Sequence, residues 1–113
     1  MQTQPTGNEK PEGLSPDGEK AYEIVLKVMK DKGFTYTGGC KTFYNPDEWI
    51  KTRGEVYGQG SELIVVYDGS SVKHLFSIDS WEDKFYEAME EALKEEQFYW
   101  EECTNWYSAI YKR

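Results

Sequence analysis

Leu63 to Tyr67 is a run of five apolar or aromatic residues that leads into Asp68-Gly69, and a second run extends from Val72 to Asp79. Two β-rich runs joined at Asp-Gly are the strongest short-range hairpin signal a sequence offers, because the turn needs positive φ and Gly adopts it without a Cβ clash. In the second run Val72, His74, Phe76 and Ile78 share one parity, and Lys73, Leu75, Ser77 and Asp79 the other. The first strand is apolar on both faces, which places it inside a sheet. The remaining chain is expected to cover and extend this hairpin.

Residues 1–14 are mostly Gln, Thr, Pro, Gly and Glu, with Met1, Asn8, Lys10 and an isolated Leu14. They cannot bury enough apolar surface to offset their ordering entropy, so a disordered tail is expected there, followed by a single domain over 15–113. Ser15-Pro16 opens a helix, with Ser15 at the cap, Pro16 in the first turn, and Asp17 and Glu19 facing the positive end of the dipole. Ala21, Tyr22, Ile24, Val25, Leu26, Val28 and Met29 make its apolar arc, Glu23, Lys27 and Lys30 lie opposite, and Gly33 stops it. Short extended pieces are expected between Phe34 and Tyr44, broken at Gly38-Gly39. Asn45 caps a short helix continued by Trp49, Ile50 and Arg53 and ended by Gly54, with Glu48 placed for a capping box.

Ser80 starts a third helix whose apolar arc is Trp81, Phe85, Ala88, Met89, Ala92 and Leu93. Phe98 to Lys112 reads as a terminal strand or strand pair, with Phe98, Trp100, Trp106 and Ile110 on one parity and Tyr99, Cys103, Tyr107 and Tyr111 on the other. The expected fold is α+β: a small antiparallel sheet built on the central hairpin, with helices packed on one face in two layers.

Charge decides which partners are compatible. The formal charge is −8, and residues 55–113 hold thirteen acids against five bases, while residues 21–54 hold four against six. That balance repels nucleic-acid backbones and favours basic partners. No run approaches the roughly 20 apolar residues of a membrane span, and the start has no signal-peptide pattern, so a cytoplasmic protein is expected. Cys40, Cys103 and His74 are too few for a metal site, and no cofactor is expected.

The acidic third helix is the feature with functional content. From Asp79 to Glu102 there are ten acids and only Lys84 and Lys94 to offset them. Glu87, Glu91 and Glu95 stack at i, i+4, i+8, each like-charge pair costing about 0.2–0.5 kcal/mol, and Glu95 and Glu96 oppose the helix dipole. Charged helix faces are ordinarily only solvated, but stability alone does not select this arrangement. The expected partner-binding residues are therefore Asp83, Glu87, Glu90, Glu91 and Glu95 with Tyr86 at the edge, meeting a basic protein surface of the kind that holds nucleic acid. An exposed Trp or Tyr beside the helix is the expected anchor.

Other constellations have ordinary readings. Gly38-Gly39-Cys40 can form an anion nest or reactive-thiol loop, but a tight turn with a buried Cys accounts for it. His74 with Cys40 and Asp68 or Asp79 can be assembled into a nucleophilic set, but spacing gives this no support, and a half-buried strand histidine suffices. No catalytic residue is assigned. The alternative to docking is a small-molecule or nucleotide cleft lined by Gly39, Cys40, Tyr44, Asp68, Trp106 and Tyr107. Either a monomer or a homodimer paired through the terminal strand fits.

Four segments carry a resemblance: Gly38 to Tyr44, Glu48-Trp49 with Arg53 to Gly58, Leu63 to Gly69, and Cys103 to Tyr111. Together they resemble a family of small bacterial and phage- or plasmid-borne proteins with no assigned activity, covering about residues 15–113. The resemblance implies a mobile-element setting and no catalytic residues. The expected function is thus a non-enzymatic acidic interaction protein, in its concrete form an inhibitor or counter-defence protein of a mobile element.

Overall fold

A computed structural model describes residues 9–33, 41–53, 60–67, 85–104 and 107–113, apart from side chains 32, 52, 53 and 85. The elements are α1 (Pro16–Lys32), β1 (Phe43–Tyr44), α2 (Pro46–Arg53), β2 (Leu63–Val66), α3 (Phe85–Glu95), β3 (Phe98–Thr104) and β4 (Tyr107–Lys112). The four strands form one antiparallel sheet in the order β1-β2-β4-β3, giving the α+β architecture.

α1 is bounded as its sequence dictates. The Ser15 hydroxyl accepts from the Gly18 amide at 3.0 Å, and Gly33 adopts φ 77° at the other end. Gly33 can do so because it has no Cβ. Gly18 serves a different purpose: a Cβ there would lie 2.6 Å from the Glu62 carbonyl oxygen, so the helix approaches the entry to β2 closely.

β2 is an inner strand, as its two apolar faces require. Its edges are taken by β1 (Phe43 opposite Val65) and by β4 (Ile64 opposite Ala109). Residues 68–79, which complete the Asp68-Gly69 hairpin expected from sequence, lie outside the described residues. The hairpin within them joins β3 to β4, from Phe98 opposite Lys112 to Thr104 opposite Tyr107, with a bulge at Cys103. The terminal aromatic segment is therefore a strand pair.

Strand alternation sorts the side chains into two clusters. On one face Phe43, Leu63, Val65, Tyr67, Phe98 and Ile110 pack under Ala21, Val25 and Met29 of α1 and Met89 and Leu93 of α3. On the other face Ile64, Tyr107 and Ala109 gather around Trp49 of α2. The Trp49 ring lies 4.7 Å from Tyr44 and 5.0 Å from Tyr107, centre to centre. α1 and α3 thus make the helical layer, while α2 lends one indole to the opposite face.

Residues 9–14 lie against the domain. Pro11 is buried and Leu14 packs on the core. Lys10 pairs with Glu19 at 3.0 Å. Asn45 donates from Nδ2 to the carbonyls of Glu12 (3.1 Å) and Gly13 (2.8 Å), while its Oδ1 accepts from the Asp47 amide and caps α2. Composition could not show this, because the ordering contacts come from a residue more than thirty positions away. Glu48, expected in a capping box, reaches Lys41 at 3.6 Å.

Candidate functional site

α3 has a sharp division of character. Met89 and Leu93 are fully buried and Ala88 and Ala92 half-buried, whereas Glu87, Glu90, Glu91 and Glu95 are exposed. Four carboxylates on an eleven-residue helix point outward because the 3.6-residue period puts the apolar positions on the opposite arc. Glu95 and Glu96 border a groove of about 470 Å³ between α1 and α3, floored by Ile24, Val28, Ala88 and Ala92. Glu90 and Tyr86 border a second cleft, of about 340 Å³, where α3 overhangs β3.

The described residues form three ion pairs, Lys10–Glu19, Lys20–Glu96 (3.1 Å) and Lys41–Glu48. Only Glu96 at the end of α3 gains a cation. Glu87, Glu90, Glu91 and Glu95 have none among the described residues, and the helical spacing of Glu90 and Lys94 does not close into a pair. The outer face of α3 thus carries four carboxylates with Lys94 among them, and none of the four closes an ion pair among the described residues. Asp83, expected to belong to it, lies outside the described residues.

Tyr99, at 36% exposure, is the exposed large apolar side chain among the described residues. Its ring stacks on Tyr111 at 5.3 Å with planes 19° apart, and the Arg113 guanidinium lies over it. Tyr99 lines the same cleft as Tyr86 and Glu90, together with Trp100 and Glu102. Those β3 residues were visible only as an aromatic strand; their place beside Glu90 depends on how α3 lies across the sheet edge.

Of the alternative cleft, Gly39, Cys40, Asp68 and Trp106 lie outside the described residues. Tyr44 and Tyr107 are brought to one face of the sheet, but the Trp49 indole fills the space between them. The neighbouring Ser108 points the other way, into the core under α1 and α3, where its hydroxyl and that of Tyr67 lie 2.8 Å apart. Burial pushes the Tyr67 phenol well above its ordinary range, with the Ser108 bond partly opposing the shift. A fully buried hydroxyl pair of this kind holds strands together and presents no nucleophile to solvent. The Cys103 thiol, half-buried in the bulge, is pushed up to about 11 by burial and then by the Glu101 carboxylate beside it. Such a thiol is protonated at neutral pH and a poor nucleophile.

Among the described residues no His, Cys, Asp or Glu cluster is arranged to hold a metal ion, and no helix is long and apolar enough to cross a membrane. No family model matches the chain, and no curated protein or solved structure matches it.

Proposed function

We propose that this protein is a non-enzymatic docking module whose acidic α3 face binds a basic surface on another protein. The observation that supports it is the run of exposed carboxylates at Glu87, Glu91 and Glu95, kept together although each like-charge neighbour weakens the helix. Charge of one sign on one face raises encounter rates with an oppositely charged partner and disfavours wrong ones. Tyr86 and Trp100 border that face and supply aromatic contact area, the usual source of affinity in such interfaces. The partner class is a nucleic-acid-binding protein, whose basic surface normally meets phosphates. In the mobile-element setting suggested by the sequence resemblance, occupying that surface is inhibition or counter-defence.

The test compares the native protein with the Glu87→Lys/Glu91→Lys/Glu95→Lys variant as baits in a bacterial lysate at 50 and 500 mM NaCl, with captured proteins identified by mass spectrometry. Basic nucleic-acid-binding proteins retained by the native bait at low salt, released at high salt and lost with the variant support the reading. Identical capture by both baits overturns it.

A further inference from the structure

We propose that the cleft where α3 overhangs β3 is a guanidinium pocket that takes one arginine side chain from the partner. This rests on the docking reading above and specifies the chemistry of one contact within it. α3 contributes Tyr86 and Glu90, β3 contributes Trp100 and Glu102, and the buried Phe98 lies at the base of a space of about 340 Å³. Two carboxylates from different elements therefore border an aromatic cleft, which distinguishes it from the outer face of α3, where all the carboxylates come from one helix.

A guanidinium suits that lining better than an ammonium. It is planar, stacks on aromatic faces, and donates from a rigid fork to carboxylates on more than one side. The protein carries its own precedent. Arg113 borders the cleft with its guanidinium carbon 5.5 Å from the Tyr99 ring centre, and its backbone amide is fixed to the Gln97 carbonyl at 2.7 Å. The Tyr99 ring stacks with Tyr111 on the Trp49 side of the sheet, so Arg113 reaches the cleft from its rim, and an incoming arginine shares the site with it or displaces it. The groove between α1 and α3 lacks this polarity, since Lys20 and Lys27 stand on its rim among the acids and Lys20 pairs with Glu96.

The probe is N-acetyl-arginine amide, with the citrulline and lysine counterparts as comparators, titrated into the whole protein and followed by aromatic NMR. The arginine probe is expected to shift Tyr86 and Trp100 saturably and leave Trp49 and Tyr107 in place. The neutral citrulline probe should shift none of them, and the lysine probe should bind at least about threefold more weakly. Glu90→Gln/Glu102→Gln should weaken the arginine probe about tenfold, and Arg113→Ala should tighten it about threefold by removing the competitor. Glu87→Gln/Glu91→Gln, outside the cleft, should change it by less than about twofold. Equal shifts with citrulline, or unchanged affinity in Glu90→Gln/Glu102→Gln, overturn the pocket. If lysate capture through Glu87, Glu91 and Glu95 persists in that case, the pocket alone fails; if the probe binds but nothing is captured, the pocket stands and the docking reading fails.

Discussion

Tyr67 and Ser108 place two hydroxyls, both within 1% of complete burial, in a core built mostly from aliphatic and aromatic groups. Such a pair contributes little net stability when complete but is costly when half of it is removed. Tyr67→Phe deprives Ser108 of this bond and should lower unfolding free energy by about 1–3 kcal/mol, read from urea midpoints at constant m. The pair also sets an alkaline limit. A phenol raised above its ordinary 10.0 in the fold contributes stability that is complete below that pH and is lost as pH climbs towards the folded value. The native protein should therefore lose stability above pH 10, and Tyr67→Phe should lose less over the same range. Cys103 follows the same sign at lower pH. Its thiol rises from 9.0 to about 11, so at pH 8 its thiolate fraction is about a hundredfold below that of an ordinary thiol. Iodoacetamide labelling at residue 103, located by peptide mass, should be at least about tenfold slower in the folded protein than in urea.

At the scale of elements, α3 shows a conflict between helix stability and surface charge. Glu91→Lys removes two like-charge contacts and creates a favourable i, i+4 pair with Glu87. It should raise stability by about 0.3–1 kcal/mol while weakening capture of a basic partner. A change that stabilises the protein and impairs its binding is the signature of a residue retained for its surface role; if stability and capture fall together, the carboxylate is structural. α1 poses a packing question instead. Gly18→Ala gains about 1 kcal/mol of helix propensity, yet the added methyl would sit 2.6 Å from the Glu62 carbonyl oxygen, and overpacking of that kind costs about 1–3 kcal/mol. Net destabilisation is expected in thermal unfolding. These elements were legible because local chemistry determines them: Ser15, Pro16 and Gly33 bound α1, and strand parity separates Phe98 and Ile110 from Tyr107 and Tyr111. The anchoring of residues 9–14 was not legible, since Asn45 supplies it from a distant turn. The meeting of Tyr86 and Glu90 with Trp100 and Glu102 was hidden for the same reason, because helix periodicity does not reveal which sheet edge a helix overhangs.

For the whole molecule, the sheet order explains why so few constraints could be read in advance. β2 lies between a two-residue strand from the middle of the chain and a strand at its far end, so its partners are set by long-range packing that no local motif encodes. Charge, in contrast, is a global property of the sequence, and it makes a global prediction. With net charge −8 and carboxylates concentrated on α3, self-repulsion opposes the compact state, and salt screens it over roughly 8–10 Å at 0.1–0.15 M. The three ion pairs among the described residues are about half exposed, so their loss in salt removes little. The melting temperature should therefore rise by about 2–4 °C between 20 and 500 mM NaCl, while association with a basic partner falls steeply across the same range. The opposite slopes follow from one cause, since screening weakens both the repulsion within the protein and the attraction to a basic partner of the kind proposed. A melting temperature that falls with salt would show that favourable charge pairs outweigh the repulsion, and the acidic face would lose its standing as charge held in reserve for binding.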